Sequence, residues 1–188
     1  DQSVKIWVKT HMSLSDSFQM FGADWAQIHF VENPGMAFGM EFGGDWGKLL
    51  LSFFRIGALG FLLYALYRFI RRAAPIGFII SFSLVTAGAL GNLIDSIFYG
   101  MIFSASPYHG GAANFVPFGH GYAPILMGKV VDMLYFPMYR GPLPAWLPVW
   151  GGQYFEFFRP VFNIADSLIF IGIVLIFLFY TKEFYFVK

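Results

Sequence analysis

The stretch AAPIGFIISFSLVTAGALGNLI, residues 73–94, contains no Asp, Glu, Lys or Arg. A helix of about 20 apolar residues is long enough to cross the hydrocarbon core of a bilayer. Residues 49–70 and 161–181 have the same apolar character, with Arg55 close enough to one end of its stretch for its side chain to reach the interface. We therefore expect transmembrane helices over residues 49–70, 75–99 and 161–181.

The composition of the whole chain supports a membrane protein. Charged residues make up 12% of the 188 residues, about half the 25% that is typical of soluble domains. So little charge cannot cover the surface of a soluble globule of this size. The net charge of +1 excludes a strongly basic nucleic-acid-binding protein. Cysteine is absent from the sequence, which excludes disulfides and thiolate metal sites.

The distribution of charge predicts the orientation. Arg68, Arg71 and Arg72 lie between the first two apolar stretches, and cationic connections stay in the cytoplasm. Residues 1–48 carry six acids and three lysines and are expected outside. We therefore expect one domain over residues 1–188, with residues 1–12 as the end of an earlier helix. A preceding span or signal segment would carry that helix across the membrane.

The two outer segments differ in pattern. Residues 13–48 are expected to be rich in β-structure, with a small hairpin around Asn33-Pro34-Gly35. Residues 100–160 are rich in proline and glycine, which excludes a long helix there.

Three acids occupy unusual positions: Asp95, Asp132 and Asp166. At 1.5 Å per residue, Asp95 lies about 30 Å above the cytoplasmic end of its helix and Asp166 about 24 Å. Asp132 lies in an outer segment, so the three can converge at one depth near the outer membrane face. Asn92 and Asn163 each precede an acid by three residues, on the same helix face. An acid near a helix end can also simply cap the helix or contact water.

Five motifs in this order resemble the lipoprotein signal peptidases (signal peptidase II), which are integral-membrane aspartic proteases. They are Asp1-Gln2 with Lys5, Asn33-Pro34-Gly35-Met36-Ala37-Phe38, Gly91-Asn92-Leu93-Ile94-Asp95, Val130-Val131-Asp132 and Phe162-Asn163-Ile164-Ala165-Asp166. The resemblance covers nearly the whole chain.

The resemblance implies a membrane all-α bundle of four transmembrane helices, the first largely missing here, with a small extracytoplasmic β-cradle. By motif position the catalytic pair is Asp132 and Asp166. The supporting and substrate-binding positions are Asp95, Asn92, Asn163, Asn33, Asp1 and Gly91. The implied reaction is cleavage of prolipoproteins before the diacylglyceryl-modified cysteine, without a cofactor or a metal. The implied setting is a monomer in the bacterial cytoplasmic (inner) membrane, in contact with lipids, whose site faces the extracytoplasmic side.

The sequence departs from the family pattern at two places. The family usually has Arg directly after the acid of the Gly-Asn motif, where this chain has Ser96. Arg140 and Arg159 are candidates to replace that cation. Residues 100–128 and 133–160 look expanded relative to the family.

Other function classes fit the sequence less well. An ion- or proton-coupled carrier could use Asp95 and Asp166, but both acids lie near the outer face and no inverted repeat is visible. A scaffold whose acids bind partner helices is a third hypothesis. The four histidines lack the HExxH spacing of a zinc protease. The small residues Gly88, Gly91 and Gly172 could admit a substrate helix, but helix packing is the favoured interpretation.

Overall fold

The computed structural model describes residues 1–35 and 44–186. The helices are α1 (Gln2–His11), α2 (Gly44–Arg71), α3 (Ile76–Ile94), α4 (Gly100–Ile102) and α5 (Ile164–Phe179). The strands are β1 (Ser17–Met20), β2 (Ala23–Asn33), β3 (Val130–Tyr135), β4 (Tyr139–Pro142), β5 (Tyr154–Phe157) and β6 (Val161–Phe162). A π-helical turn, Asp95–Tyr99, joins α3 to α4, and a 3₁₀ helix, Thr181–Phe186, follows α5.

Two helices of the described residues are long and apolar enough to span a membrane. They are α2 and the continuous helix Ile76–Ile102, which contains α3, the π-helical turn and α4. Large side chains of α2 such as Phe54 and Phe61 are 71% and 68% exposed, as expected for a surface that faces lipid. Helix α5 is equally apolar but has only 16 residues, or about 24 Å.

The start of α5 differs from the expected start at residue 161. Val161 and Phe162 form β6 and pair with β3, so their backbone groups are already used in a sheet. Asn163 then acts as the N-cap, and the helix begins at Ile164. The short apolar pair before the cap has the same composition as the helix, and therefore hydropathy alone extends the helix too far.

Helices α3 and α5 pack closely against each other through glycines. A Cβ added at Gly88 would lie 2.3 Å from the carbonyl oxygen of Ala165, and one added at Gly172 would lie 2.6 Å from that of Ser81. These distances leave no room for a larger side chain. The packing interpretation of Gly88 and Gly172 therefore fits the structure, since both positions are filled by the neighbouring helix.

A four-stranded antiparallel sheet lies beside the helices, in the order β1-β2-β3-β6. Strands β1 and β2 form a hairpin whose turn residues Phe21 and Gly22 both have positive φ. The hairpin expected around Asn33-Pro34-Gly35 has only its first arm, β2, within the described residues. Its second arm, residues 36–42, lies outside them. Asp132 lies on β3 opposite Val31, in the interior of the sheet.

The sheet packs on α1 and α4 through an apolar core. Its buried members are Val8, Met12, Phe30, Tyr99, Phe103, Val131 and Met133. Next to this core, the ammonium group of Lys9 pairs with Glu32 of β2 and donates to Ser106 at 2.9 Å. Lys129 also pairs with Glu32, at 3.1 Å. The expanded segment 100–128, through Ser106, and Lys129 directly after it are thereby fixed to both α1 and the sheet.

The α3–α5 contact leads to the first prediction. Gly88→Ala should lower the free energy of unfolding by about 1–3 kcal/mol, because the new methyl group overpacks the helix contact. Gly60→Ala is the matched control, since a methyl group added at Gly60, in α2, would meet nothing within 4 Å, and its effect should stay within about 1 kcal/mol. Thermal unfolding of the purified proteins in detergent measures both. Equal melting temperatures for Gly88→Ala and the parent protein would contradict the close packing.

Candidate active site

The first turn of α5 positions Asp166. The backbone N–H of Asp166 donates to Oδ1 of Asn163 at 2.9 Å, and the N–H of Asn163 donates back to Oδ2 of Asp166 at 3.3 Å. This reciprocal pair is a capping box, which satisfies two helix-terminal donors at once. The sequence expectation that the asparagine three residues earlier orients the acid therefore describes Asn163 and Asp166 well.

The side-chain amide of Asn163 also connects α5 to the sheet. Its Nδ2 donates to Oδ1 of Asp132 at 2.7 Å and to Oδ1 of Asn92 at 3.0 Å. Nδ2 of Asn92 in turn donates to Oδ1 of Asp166 at 2.7 Å. Asn163 is fully buried and Asp132 is 4% exposed. Asp132 and Asp166, from different elements, thus belong to one hydrogen-bonded network.

The expected pairing of Asn92 with Asp95 is not the one that the structure shows. The side chain of Asn92 binds Asp166, Asn163 and Lys5 instead. Helix α3 ends at Ile94 and the π-helical turn begins at Asp95. Asn92 and Asp95 nevertheless share one face, as the i and i+3 spacing predicts, because Nζ of Lys5 contacts Oδ1 of Asn92 at 2.9 Å and Oδ2 of Asp95 at 2.8 Å.

Asp95 is held by a buried ion pair on the α1 side of the network. The Nζ of Lys5 lies 2.8 Å from Oδ2 of Asp95, 3.0 Å from Oδ2 of Asp1 and 2.9 Å from Oδ1 of Asn92. Gln2 donates to Oδ1 of Asp95 at 2.8 Å. Neither Lys5 nor Asp95 is exposed. Both carboxylate oxygens of Asp95 are therefore used in structural contacts.

The other supporting residues named from the sequence also lie in or next to this network. Oδ1 of Asp1 accepts from the N–H of Ala165 at 3.0 Å. A Cβ at Gly91 would lie 3.0 Å from Oδ2 of Asp1, so glycine leaves space for that carboxylate. Asn33 accepts from the N–H of Gly35 at 2.8 Å. Residues 36–38 of the same motif lie outside the described residues.

The surroundings of Asp132 favour its protonated form. Burial, followed by the nearby charge of Asp166, raises the pKa of Asp132 to about 7, although hydrogen bonds from Asn163 and Asn33 act in the opposite direction. A carboxyl with this pKa is about half protonated at pH 7, whereas one with an ordinary pKa is almost fully ionised there. The site can therefore contain one neutral and one ionised carboxyl group.

Arg140 and Arg159 do not supply the cation that the resemblance leads us to expect. Both pair with Glu156, at 3.0 and 3.6 Å, on the separate two-stranded ribbon of β4 and β5. Arg55 of α2 lies next to Ser96, and its Nη1 donates to Oγ of Ser96 at 2.8 Å. The contact with Ser96, next to Asp95 at the expected outer face, leaves the expectation that Arg55 extends to the membrane interface as a prediction. The hydropathy of residues 49–70 depends on that stretch alone, so it cannot predict the contact between Arg55 and Ser96.

The described residues contain no group of three or more His, Cys, Asp or Glu side chains that could hold a metal ion. Two carboxyl groups in one hydrogen-bonded network can activate a water molecule.

Comparison with known proteins decides the family. The sequence model described as Signal peptidase (SPase) II matches residues 1–182. The chain belongs to the signal peptidase II family. A lipoprotein signal peptidase of Porphyromonas gingivalis is 54% identical over 183 residues, which cover 97% of this chain and 78% of that protein. A lipoprotein signal peptidase of Amoebophilus asiaticus is 37% identical over 94% of this chain and 70% of its own length.

Solved structures agree with this family assignment. A bacterial membrane enzyme determined by the in meso method at 1.9 Å resolution matches with a TM-score of 0.57 and 28% identity, over 95% of this chain and 83% of that one. A second, at 2.3 Å resolution, matches with a TM-score of 0.55 and 26% identity, over 100% of this chain and 84% of that one. Like the apolar helices, these neighbours identify the chain as a membrane protein.

The surroundings of Asp132 lead to the second prediction. In Asp166→Asn the pKa of Asp132 should fall below its value of about 7, because the like charge has been removed. It should stay above the ordinary value of 3.8, because burial is unchanged. A carbon NMR titration of aspartate-labelled protein measures both states. Asp24→Asn, at an exposed position, is the control and should leave the Asp132 titration unchanged. An unchanged pKa in Asp166→Asn would show that the two carboxyl groups do not interact.

Proposed function

We propose that this protein is a membrane-embedded aspartic endopeptidase that removes signal peptides from prolipoproteins by cleaving before the diacylglyceryl-modified cysteine. The family relationship supports the reaction and its substrate class. The hydrogen bond from Asn163 to Asp132, within the same capping box that fixes Asp166, is the observation that supports the aspartic mechanism. Asp132 and Asp166 are the proposed catalytic pair.

The contacts of the three acids favour this pair over one that contains Asp95. Lys5 neutralises Asp95 and Gln2 occupies its second oxygen. Asp132 has no ion-pair partner within 4.0 Å among the described residues, and the same is true of Asp166. Carboxyl groups without a cation in contact remain available to a water molecule and to a substrate carbonyl. Asp95 is therefore assigned a structural role.

We assign different catalytic roles to the two acids. Both oxygens of Asp166 accept hydrogen bonds from N–H groups, an environment that suits an ionised carboxylate. Burial and the charge of Asp166 raise the pKa of Asp132. Asp166 is thus the general base that takes a proton from water, and Asp132 is the acid that donates its proton to the carbonyl oxygen of the scissile bond. The two acids exchange protons as a coupled unit.

The reaction follows from these parts. Water adds to the scissile carbonyl carbon while one of its protons passes to Asp166 and the proton of Asp132 passes to the carbonyl oxygen. The product is a tetrahedral gem-diol, with Asp166 neutral and Asp132 ionised. Collapse of this intermediate breaks the C–N bond, as Asp166 gives its proton to the leaving amine and Asp132 recovers one from a hydroxyl group. Atoms and charge balance, and neither metal nor cofactor takes part.

The proposed topology delivers the substrate to this site. Helices α2 and α3 span the membrane, and the basic connection between them lies in the cytoplasm. Asp132 and Asp166 then face the extracytoplasmic side at the membrane surface, where α5 begins. A lipidated cysteine is anchored at that surface by its acyl chains. The first of four family helices is represented here by α1, and the enzyme acts as a monomer surrounded by lipid.

No contact among the described residues favours the ion-coupled carrier that uses Asp95 and Asp166. Asp95 is completely buried and paired with Lys5, so it is closed to an exchanging ion. A carrier site requires a carboxyl group that alternates between the two sides of the membrane.

A reconstituted cleavage assay tests the proposed function. The purified protein in liposomes receives a synthetic precursor with a diacylglyceryl-cysteine, and a matched precursor with an unmodified cysteine is the control. We expect cleavage of the lipidated precursor alone, with mass spectrometry locating the cut directly before the modified cysteine. Ion flux through the same liposomes without any cleavage would contradict the peptidase and favour the carrier.

The third prediction concerns the two catalytic acids. Asp132→Asn and Asp166→Asn should each lower kcat by at least about 10²- to 10⁴-fold, the usual contribution of a general acid or base. Both proteins should remain folded, because an asparagine can still accept the hydrogen bonds to one oxygen. Asp24→Asn is the matched control and should retain full activity. Retained turnover in either variant, or full activity in Asp132→Asn together with total loss in Asp95→Asn, would reject the assigned pair.

The fourth prediction is the pH dependence of the reaction. The catalytic pair needs one proton, and this proton is lost as the pH rises through the pKa of Asp132, about 7. We therefore expect kcat/KM to fall about tenfold per pH unit well above that value. A pH–rate profile in detergent micelles with the lipidated precursor measures this limb. Constant kcat/KM up to about pH 9 would contradict the assignment of Asp132 as the acid.

A further inference from the structure

Arg55 is a cation in a helix that is mostly apolar and carries many exposed large side chains. It lies in α2 and is only partly exposed. A guanidinium in this environment is costly unless it contacts polar groups, and it is then a candidate for a functional position. Its side chain extends inward from α2, toward the end of α3.

Two acceptors hold the guanidinium in place. Nη1 donates to Oγ of Ser96 at 2.8 Å, and Nη2 donates to the carbonyl oxygen of Gly35 at 3.2 Å. Oγ of Ser96 itself donates to the backbone carbonyl of Asn92 at 3.1 Å. Gly35 has a φ of +98°, and a Cβ there would lie 3.0 Å from Nη1. The approach of Arg55 thus depends on a glycine at one side and a short hydroxyl side chain at the other.

The guanidinium faces the acids of the site without touching them. It interacts electrostatically with Asp166, Asp132 and Asp95, in that order of strength. Among the described residues, however, no carboxylate oxygen lies within 4.0 Å of its nitrogens. Arg55 is therefore near the catalytic pair without forming an ion pair with either acid.

Arg55 has more N–H donors than the described residues provide acceptors for. A guanidinium has five N–H groups in a fixed planar fork, and the described residues accept from only two of its nitrogens. The remaining N–H groups have no acceptor among the described residues, and the charge of the guanidinium acts on both Asp132 and Asp166. A peptide carbonyl is an acceptor of suitable size and charge for this place, because it needs a donor but brings no countercharge that would compete with the catalytic acids.

We infer that Arg55 binds a backbone carbonyl of the precursor next to the scissile bond, a role that rests on the proposed function of the site. Ser96 occupies the position where the family usually has its arginine, and in this chain it serves as the support for a cation that comes from α2. Arg55 is then a substrate-binding residue, whereas proton transfer remains with Asp132 and Asp166.

The fifth prediction tests this role with steady-state kinetics on the lipidated precursor. Arg55→Gln should lower kcat/KM about 10- to 100-fold, the usual loss for a hydrogen bond to a charged donor. The loss should appear mainly in KM, because the carbonyl is bound equally in the ground state and the transition state. Arg140→Gln is the matched control, since Arg140 pairs with Glu156 away from the site, and its kinetics should stay within about twofold.

A relocation variant separates a binding role from a merely structural one. The double variant Arg55→Gln/Ser96→Arg moves the cation to the family position. Its kcat/KM should be at least about tenfold higher than that of Arg55→Gln, and the gain should come from a lower KM. In an Asp166→Asn background, Arg55→Gln should weaken equilibrium binding of a fluorescent lipidated precursor by about tenfold or more. If Arg55→Gln does not fold, Arg55→Lys replaces it, and a KM raised at least about threefold supports the role.

The possible failures are distinguishable. An unchanged KM with a lowered kcat in Arg55→Gln, or an unchanged KM in Arg55→Lys, would overturn the inference while leaving the peptidase intact. Failure of the relocation variant to improve on Arg55→Gln would do the same. If the parent protein does not cleave the lipidated precursor, the proposed function itself is wrong.

Discussion

The buried ammonium group of Lys5 connects the parts of the molecule that form the site. It has no exposed surface and contacts Asp1, Asp95 and Asn92. A buried charge costs several kcal/mol unless it is well paired, and here three acceptors surround it. Asp1 in turn accepts from Ala165 of α5, and Asp95 accepts from the backbone of β3 at 3.1 Å. Lys5 thus connects α1 and α3 directly, and it connects α5 and β3 through Asp1 and Asp95.

Lys5 also distinguishes Asp95, with which it forms an ion pair, from Asp132 and Asp166, with which it does not. Asp95 lies against the cation and has the role of a structural anion. Asp132 and Asp166 lie on the other side of Asn92 and Asn163, and these neutral amides provide hydrogen bonds but no countercharge. Burial and the charge of Asp166 therefore raise the pKa of Asp132 more than the hydrogen bonds from Asn163 and Asn33 lower it. A cation placed between them would remove the property that makes such a pair useful for proton transfer.

Sequence reasoning could find the helices and the acids but not most of their contacts. Hydropathy predicts α2 and α3 because each stretch is apolar by itself, and the rise per residue places the acids at similar depth. The partner of Asn92 lies 74 residues away, on α5, and no local spacing carries that information. Strand β1 is hard to locate because it is short and mostly exposed, with no alternation of burial to mark it. The direction of Arg55 depends on Ser96, 41 residues further along the chain.

Ser96 and Arg55 are in contact near the start of the π-helical turn. The turn begins at Asp95, which binds Lys5, while its neighbour Ser96 meets Arg55 on a different side. Ser96 is 1% exposed, and its carbonyl accepts from the N–H of Gly128, where the expanded segment returns to the sheet. A Cβ at Gly128 would lie only 2.1 Å from the carbonyl oxygen of Asp95. Because Nη1 of Arg55 lies 2.8 Å from Oγ of Ser96, a longer side chain at position 96 would compete with Arg55 for the same space.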